Sequence, residues 1–210
     1  ARCVEAMCQA SPLPVTVKHR VGIDDLDSDA LLQTFVDLVA AGGASRFAIH
    51  ARKAWLEGLD PKQNRTIPPL QHDRVIALKQ RRPELTIELN GGLDTPEQCL
   101  DALRSCDGAM VGRSAYAHPL RWGCVDQLIY GESERNITAS GVVLGLIPHA
   151  QAHLERGGRL WDLCRHLVQL VEGVPGARHW RRNLGLKAQR RGADIPVLEE
   201  AARQLLDAGL

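Results

Sequence analysis

The chain has 210 residues, is 44% hydrophobic and carries a formal net charge of +1. It is long enough for a sizeable core, and its composition makes no global electrostatic case for a nucleic-acid partner. No run approaches the roughly 18 apolar residues of a membrane span and no secretory signal precedes the first element, so a cytoplasmic, non-membrane protein is expected. The six cysteines form no CxxC pair and are predicted to be buried thiols with structural roles.

Ala1-Arg2-Cys3-Val4-Glu5-Ala6-Met7 opens without an initiator methionine and places apolar residues at helical spacing, which predicts a fragment that starts inside a helix. Short apolar strands then alternate with helical patterns, as in βα units around a parallel sheet. The predicted strands are Val15–Lys18, Phe47–His50, Leu85–Leu89 and Gly108–Val111. Helices are expected over Ser28–Ala41 and Asp73–Arg81, with another starting near Thr95, where Asp94-Thr95-Pro96-Glu97 offers an oxygen cap and a first-turn proline. Four such units make half of a TIM (β/α)8 barrel, strands 5–8, over residues 1–122, with the other half expected upstream. Beyond Trp122, Thr138–Gly158, Leu160–Val171 and Gly176–Leu186 predict an all-α domain over 123–210, so the fold class is α/β with a helical appendage.

Barrel chemistry gathers at the C-terminal strand ends, so Lys18, His50, Asn90 and Arg113 are expected on one rim. Asn90-Gly91-Gly92 and Gly112-Arg113 follow the last two strands, where glycine permits close backbone approach and helix starts offer amides to a phosphate; simple turns are the alternative. Lys18 ends its strand in an apolar segment and calls for an electron-rich partner such as a flavin ring, or for a salt bridge. His50 is read as a ligand contact or as a hydrogen-bonded structural group. His149 and His153 stand four apart without an intervening carboxylate or an evident third ligand, so no metal site is expected.

From Arg156 to Arg191 there are nine Lys or Arg residues against only Asp162 and Glu172. Helical spacing puts Arg178, Arg181 and Arg182 on one face and Ala177, Trp180 and Leu184 on another, which predicts a basic face able to follow an RNA backbone, or a solvated helix face. Lys62 and Arg65, in the loop after His50, are a second basic set.

These segments resemble the tRNA-dihydrouridine synthases, and within them the bacterial A-type branch. The likeness runs through Val15–Arg20, Gly22–Asp25, Ile49–Trp55, Asn64-Arg65, Ile67–Leu70, Asn90–Gly92, Met110–Arg113 and Pro175–Arg182, nearly the whole chain. It implies a flavoprotein oxidoreductase of tRNA processing, with an FMN-binding TIM barrel, a helical tRNA-binding domain and NADPH as transient reductant. Reduced FMN would give hydride to C6 of a D-loop uridine at position 20 or 20a, and the full-length enzyme is expected to be a monomer. Family flavin contacts map onto Lys18, His50, Asn90, Gly91, Gly92, Gly112 and Arg113, and tRNA-orienting positions onto Lys62, Arg65, Arg178 and Arg181. The family's catalytic cysteine sits in an Asn-, Gly- and Pro-rich motif that does not occur here, so no catalytic residue is carried over and the chain alone is expected to be inactive. Another FMN barrel, such as a dihydroorotate or enoate reductase, and a non-catalytic RNA-binding remnant are the alternatives.

Overall fold

In the computed structural model, which describes residues 1–210, the chain divides into two compact units, Ala1–Val111 and Gly112–Leu210. The division falls before residue 122, where the strand pattern of the sequence gives out.

The first unit contains α1 (Arg2–Ala10), β1 (Thr16–Arg20), α2 (Asp29–Ala41), β2 (Arg46–His50), α3 (His72–Arg81), β3 (Thr86–Asn90), α4 (Pro96–Ala102) and β4 (Gly108–Met110). The strands form one parallel sheet in the order β1-β2-β3-β4. That arrangement is consistent with a partial TIM-barrel-like fold. Register sets the faces of the sheet, because successive side chains of a strand alternate. Val17, Phe47 and Ile87 stand level with one another, and so do His19, Ile49 and Leu89. This is the helix-covered face: Phe47, Ile49 and Ile87 are fully buried, and the His19 ring packs on Phe35 of α2 as well as on Phe47. Lys18, Ala48 and Glu88, and above them Arg20, His50 and Asn90, occupy the opposite face.

Local chemistry explains the helix ends. Ser28 Oγ accepts from the Leu31 amide at 3.1 Å at the start of α2. A reciprocal capping box between Thr95 and Gln98 starts α4, with Pro96 in its first turn. One face of α2 buries Leu32, Val36 and Val39, while Leu31, Phe35 and Leu38 remain exposed. On the polar face of the sheet the buried Glu88 accepts from Arg46 Nε at 2.7 Å, and its side chain fills the space that a β-carbon at Gly108 would need.

The second unit contains α5 (Arg113–Ala117), α6 (Val125–Tyr130), α7 (Ala139–Glu155), α8 (Leu160–Leu167), α9 (Ala177–Ala188) and α10 (Pro196–Asp207). Thr138 Oγ1 caps α7 through the Gly141 amide at 3.0 Å. The last four helices share an apolar core that includes Val143, Leu160, Trp180, Leu198 and Leu205. Trp180 is 4% exposed, and its indole nitrogen donates to the Ala201 carbonyl at 3.1 Å, which satisfies its one polar atom.

Several expectations change. β1 runs past Lys18 to Arg20, because Val21 continues the ladder by donating to the His50 carbonyl at 3.2 Å. Helix α7 stops at Glu155 ahead of the left-handed Gly157, and α8 stops at Leu167 rather than Val171. Helix α10 is additional; its signal was Pro196 at the start followed by Leu198, Ala201, Ala202 and Leu205 at helical spacing, all buried. The cysteines split: Cys99, Cys106 and Cys164 are buried, Cys8 is half-buried, and Cys3 and Cys124 are exposed.

Candidate functional site

The polar face of the sheet in the first unit carries the candidate site. At its C-terminal edge Arg20, His50, Asn90 and Met110 stand level across all four strands. The register therefore brings together His50 and Asn90, as the sequence predicts, but it pairs them with Arg20. Lys18 lies one side-chain step lower, opposite Ala48 and Glu88, and it is exposed rather than enclosed in apolar surroundings. The need for a buried counter-charge at Lys18 thus disappears. Arg20 was the residue the strand-end argument missed, and the two-residue period of β1 was the signal that could have found it.

Asn90 is oriented by a 2.6 Å bond from Nδ2 to the Met110 carbonyl of the neighbouring strand. Behind it the chain turns through Gly91 and Gly92, with φ of +103° and +71°. Both values favour glycine. A β-carbon at Gly91 would sit 3.1 Å from His50 Nε2, so the bare backbone is what lets the imidazole lie against the turn. His72, the first residue of α3, holds the same turn through a 2.7 Å bond between Nε2 and the Gly91 carbonyl. The amides that follow are spoken for: Asp94 and Thr95 donate to Gln98 Oε1, and Gln98 donates to Thr95 Oγ1. Thus the start of α4 is capped by its own side chains, and the glycine turn before it is closely packed: Gly91 is buried, and a β-carbon at Gly92 would clash with the Leu70 side chain.

His50 is 8% exposed. Burial, followed by the positive charges of Arg20 and Lys18, pushes its pKa from the ordinary 6.5 down to about 4. It is therefore a neutral imidazole near neutral pH, suited to hydrogen bonding rather than to carrying charge. Arg20 is held below its usual range first by burial and then by Arg65 and Arg52. Four cations, Lys18, Arg20, Arg52 and Arg65, thus act electrostatically on this edge, which makes it a receptive surface for an anion.

The loop between β2 and α3 carries Lys62 and Arg65, both exposed, on either side of Asn64 in a short 3₁₀ turn, Gln63–Arg65. Its base is zipped to residues 22–27: Ala54 donates to the Gly22 carbonyl at 2.9 Å, Asp24 donates to the Ala54 carbonyl at 2.8 Å, and Lys53 pairs with Asp27 at 3.0 Å.

In the second unit, Gly112 caps α5 and Arg113 is its first residue; a β-carbon at Gly112 would face open space. Helix α9 presents Arg178 and Arg182 as exposed residues and Arg181 as half-exposed, while Ala177, Trp180 and Leu184 are buried. His153 lies 3.5 Å from Asp162, and no group of three or more potential metal ligands comes together.

Comparison with known proteins gives this geometry its context. The profile of the dihydrouridine synthase (Dus) family matches residues 1–206. Proteins named tRNA-dihydrouridine(20/20a) synthase are similar over almost the whole chain. That of Shewanella oneidensis is 48% identical over 96% of this chain and 60% of its own length. Its Salmonella typhimurium counterpart is 46% identical over 99% of this chain and 63% of its own length, and the Synechocystis protein is 43% identical over 100% and 60%. The chain spans about 60% of the length of the curated relatives it matches. A likeness that runs through strands, glycine turn and helical unit alike leaves one conclusion: the chain belongs to the dihydrouridine synthase family.

Proposed function

We propose that this chain forms the flavin-binding and tRNA-binding part of a tRNA-dihydrouridine synthase that reduces D-loop uridines, at positions 20 and 20a in its relatives' names. The observation that carries this is the level row of Arg20, His50 and Asn90 beside a glycine turn whose missing β-carbon leaves room for His50. Such a cradle, with cations at its edge, fits a planar, anion-bearing cofactor. Lys18, His50, Asn90, Gly91 and Gly92 of the first unit are the residues assigned to hold FMN. When bound, FMN supplies the hydride for the uracil C5–C6 bond, with NADPH as its transient reductant.

The chain's own residues bind and orient. Neutral His50 offers a hydrogen bond without a competing charge, and Lys18 offers a mobile ammonium that stabilises negative charge developing near it. Lys62, Arg65, Arg178 and Arg181 contact tRNA phosphates and hold the polymer while the target uridine leaves its stack. The proton for C5 needs an acid. Cys99, Cys106 and Cys164 are buried thiols whose pKa values are raised by burial, which suits structural roles. The family's Asn-, Gly- and Pro-rich cysteine motif does not occur in these 210 residues, and the chain is therefore proposed to bind FMN and tRNA without reducing uridine by itself.

Titration of the chain with FMN, followed by flavin fluorescence, tests the cradle. The wild type should quench flavin emission, whereas Gly91→Ala, strained at positive φ and crowding His50, should bind at least about tenfold more weakly. Equal titration curves for the two proteins would refute the cradle. Dihydrouridine formed by the purified chain from NADPH, FMN and a tRNA transcript would refute the inactivity proposed for it.

A further inference from the structure

Asn64 sits between Lys62 and Arg65 yet carries no charge, and its side chain turns into the loop. Its Oδ1 accepts from the Trp55 amide at 2.8 Å, its Nδ2 donates to the Trp55 carbonyl at 2.6 Å, and the same nitrogen reaches the Leu59 carbonyl at 3.4 Å. One amide side chain thus pairs with both backbone groups of Trp55, as a neighbouring strand would, and closes the excursion from 55 to 64. Its backbone is engaged as well: Asn64 donates to the Asp60 carbonyl at 2.9 Å and accepts from Arg20 Nη1 at 2.9 Å. Arg20 Nη1 also donates to the Lys53 carbonyl at 3.0 Å, so a residue level with His50 and Asn90 holds both ends of the excursion. Asp60 Oδ1 completes the tip by accepting from the amides of Lys62 and Gln63 at 2.7 and 2.8 Å.

We propose that Asn64 is a positioning residue for RNA: its clip on Trp55, anchored to the sheet edge through Arg20, fixes the direction in which Lys62 and Arg65 meet tRNA phosphates. This rests on the assignment of those two cations to tRNA given above. A long, exposed loop would otherwise have to be ordered at the moment of binding, and that cost is removed when the loop is closed beforehand. The role is separable from charge, because replacing Asn64 removes none.

The test is a double-mutant cycle on binding of an unmodified tRNA transcript to the 210-residue chain, read by fluorescence anisotropy across a salt series. Lys62→Ala/Arg65→Ala should weaken binding and reduce the salt slope by about 2, close to one per phosphate contact. Asn64→Ala should weaken binding about tenfold and lower the slope as well, although it is neutral for neutral. Added to the Lys62→Ala/Arg65→Ala protein, it should cost less than about twofold, since the groups it positions are gone. Amide exchange at Trp55 should speed up in Asn64→Ala. Equal weakening in both backgrounds, or no weakening in either, overturns the positioning role.

Full affinity in Lys62→Ala/Arg65→Ala refutes the loop as an RNA site and the role with it, while faster Trp55 exchange in Asn64→Ala would still mark the clip as real. Asn64→Gln, which keeps the amide but misplaces it, serves if the alanine variant does not fold, and it should show the same coupling. Loss of the cooperative fold in both variants makes Asn64 a residue of general stability and also overturns the proposal.

Discussion

His50 concentrates the electrostatics of the site in one side chain. Folding lowers its pKa from 6.5 to about 4. Between these values the unfolded chain takes up a proton that the folded chain refuses, so stability is present above pH 6.5 and is lost as pH falls toward 4. His19, also lowered by burial, acts with the same sign. Denaturant titrations across that window should show stability falling with pH in the wild type and a shallower fall in His50→Gln. Identical slopes would mean that the imidazole is not held neutral. The residue-scale contrast with Lys18 is instructive, since both were expected to end strands. Two extra residues of β1 leave Lys18 exposed and put Arg20 level with His50, a change that no property of Lys18 itself could announce.

Among the elements, helix starts were the most legible. Ser28, Thr95 and Thr138 each accept from the backbone amide three residues on, as their residue types favour. Thr95→Ala should therefore cost about 1 kcal/mol in denaturant-induced unfolding, by loss of half of a reciprocal box. A stability change within error would show that Gln98 alone suffices. Helix ends were less legible: α7 ends at Glu155 just ahead of Gly157, whereas Leu167 is followed by Val168, Gln169 and Leu170, which could have continued α8. Helix α10 escaped because two of its four buried positions, Ala201 and Ala202, are alanines, which mark an apolar stripe only weakly. Strand existence followed from apolar runs, whereas strand ends followed from ladder bonds such as Val21 to His50, which belong to pairs of strands.

For the whole molecule, a net charge of +1 hides two local concentrations of cations. One lies around Arg20, Arg52 and Arg65 in the first unit, and the other includes Arg178 and Arg181 on α9 in the second. If tRNA phosphates engage α9, Arg178→Ala/Arg181→Ala should lower the slope of log affinity against log salt by about 2, with no change in thermal stability because neither residue is buried. An unchanged slope would return α9 to a solvated face.

Taken by itself, the sequence determined the alternation of strands and helices, the glycine turn at Asn90-Gly91-Gly92, the caps, and the family likeness. Each of these depends on residue type and short-range spacing, which sterics and local hydrogen bonding translate directly into backbone shape. Tertiary structure decided the rest. Only sheet register could place Arg20 rather than Lys18 beside His50, since register is a relation between strands far apart in the chain. The role of Asn64 had the same source: its partners Trp55 and Arg20 lie nine and forty-four residues away, and nothing in its local spacing distinguishes a clip from an ordinary loop asparagine. The pKa of His50 likewise became readable only once burial and the neighbouring cations were in place, because desolvation is a property of the packed surroundings.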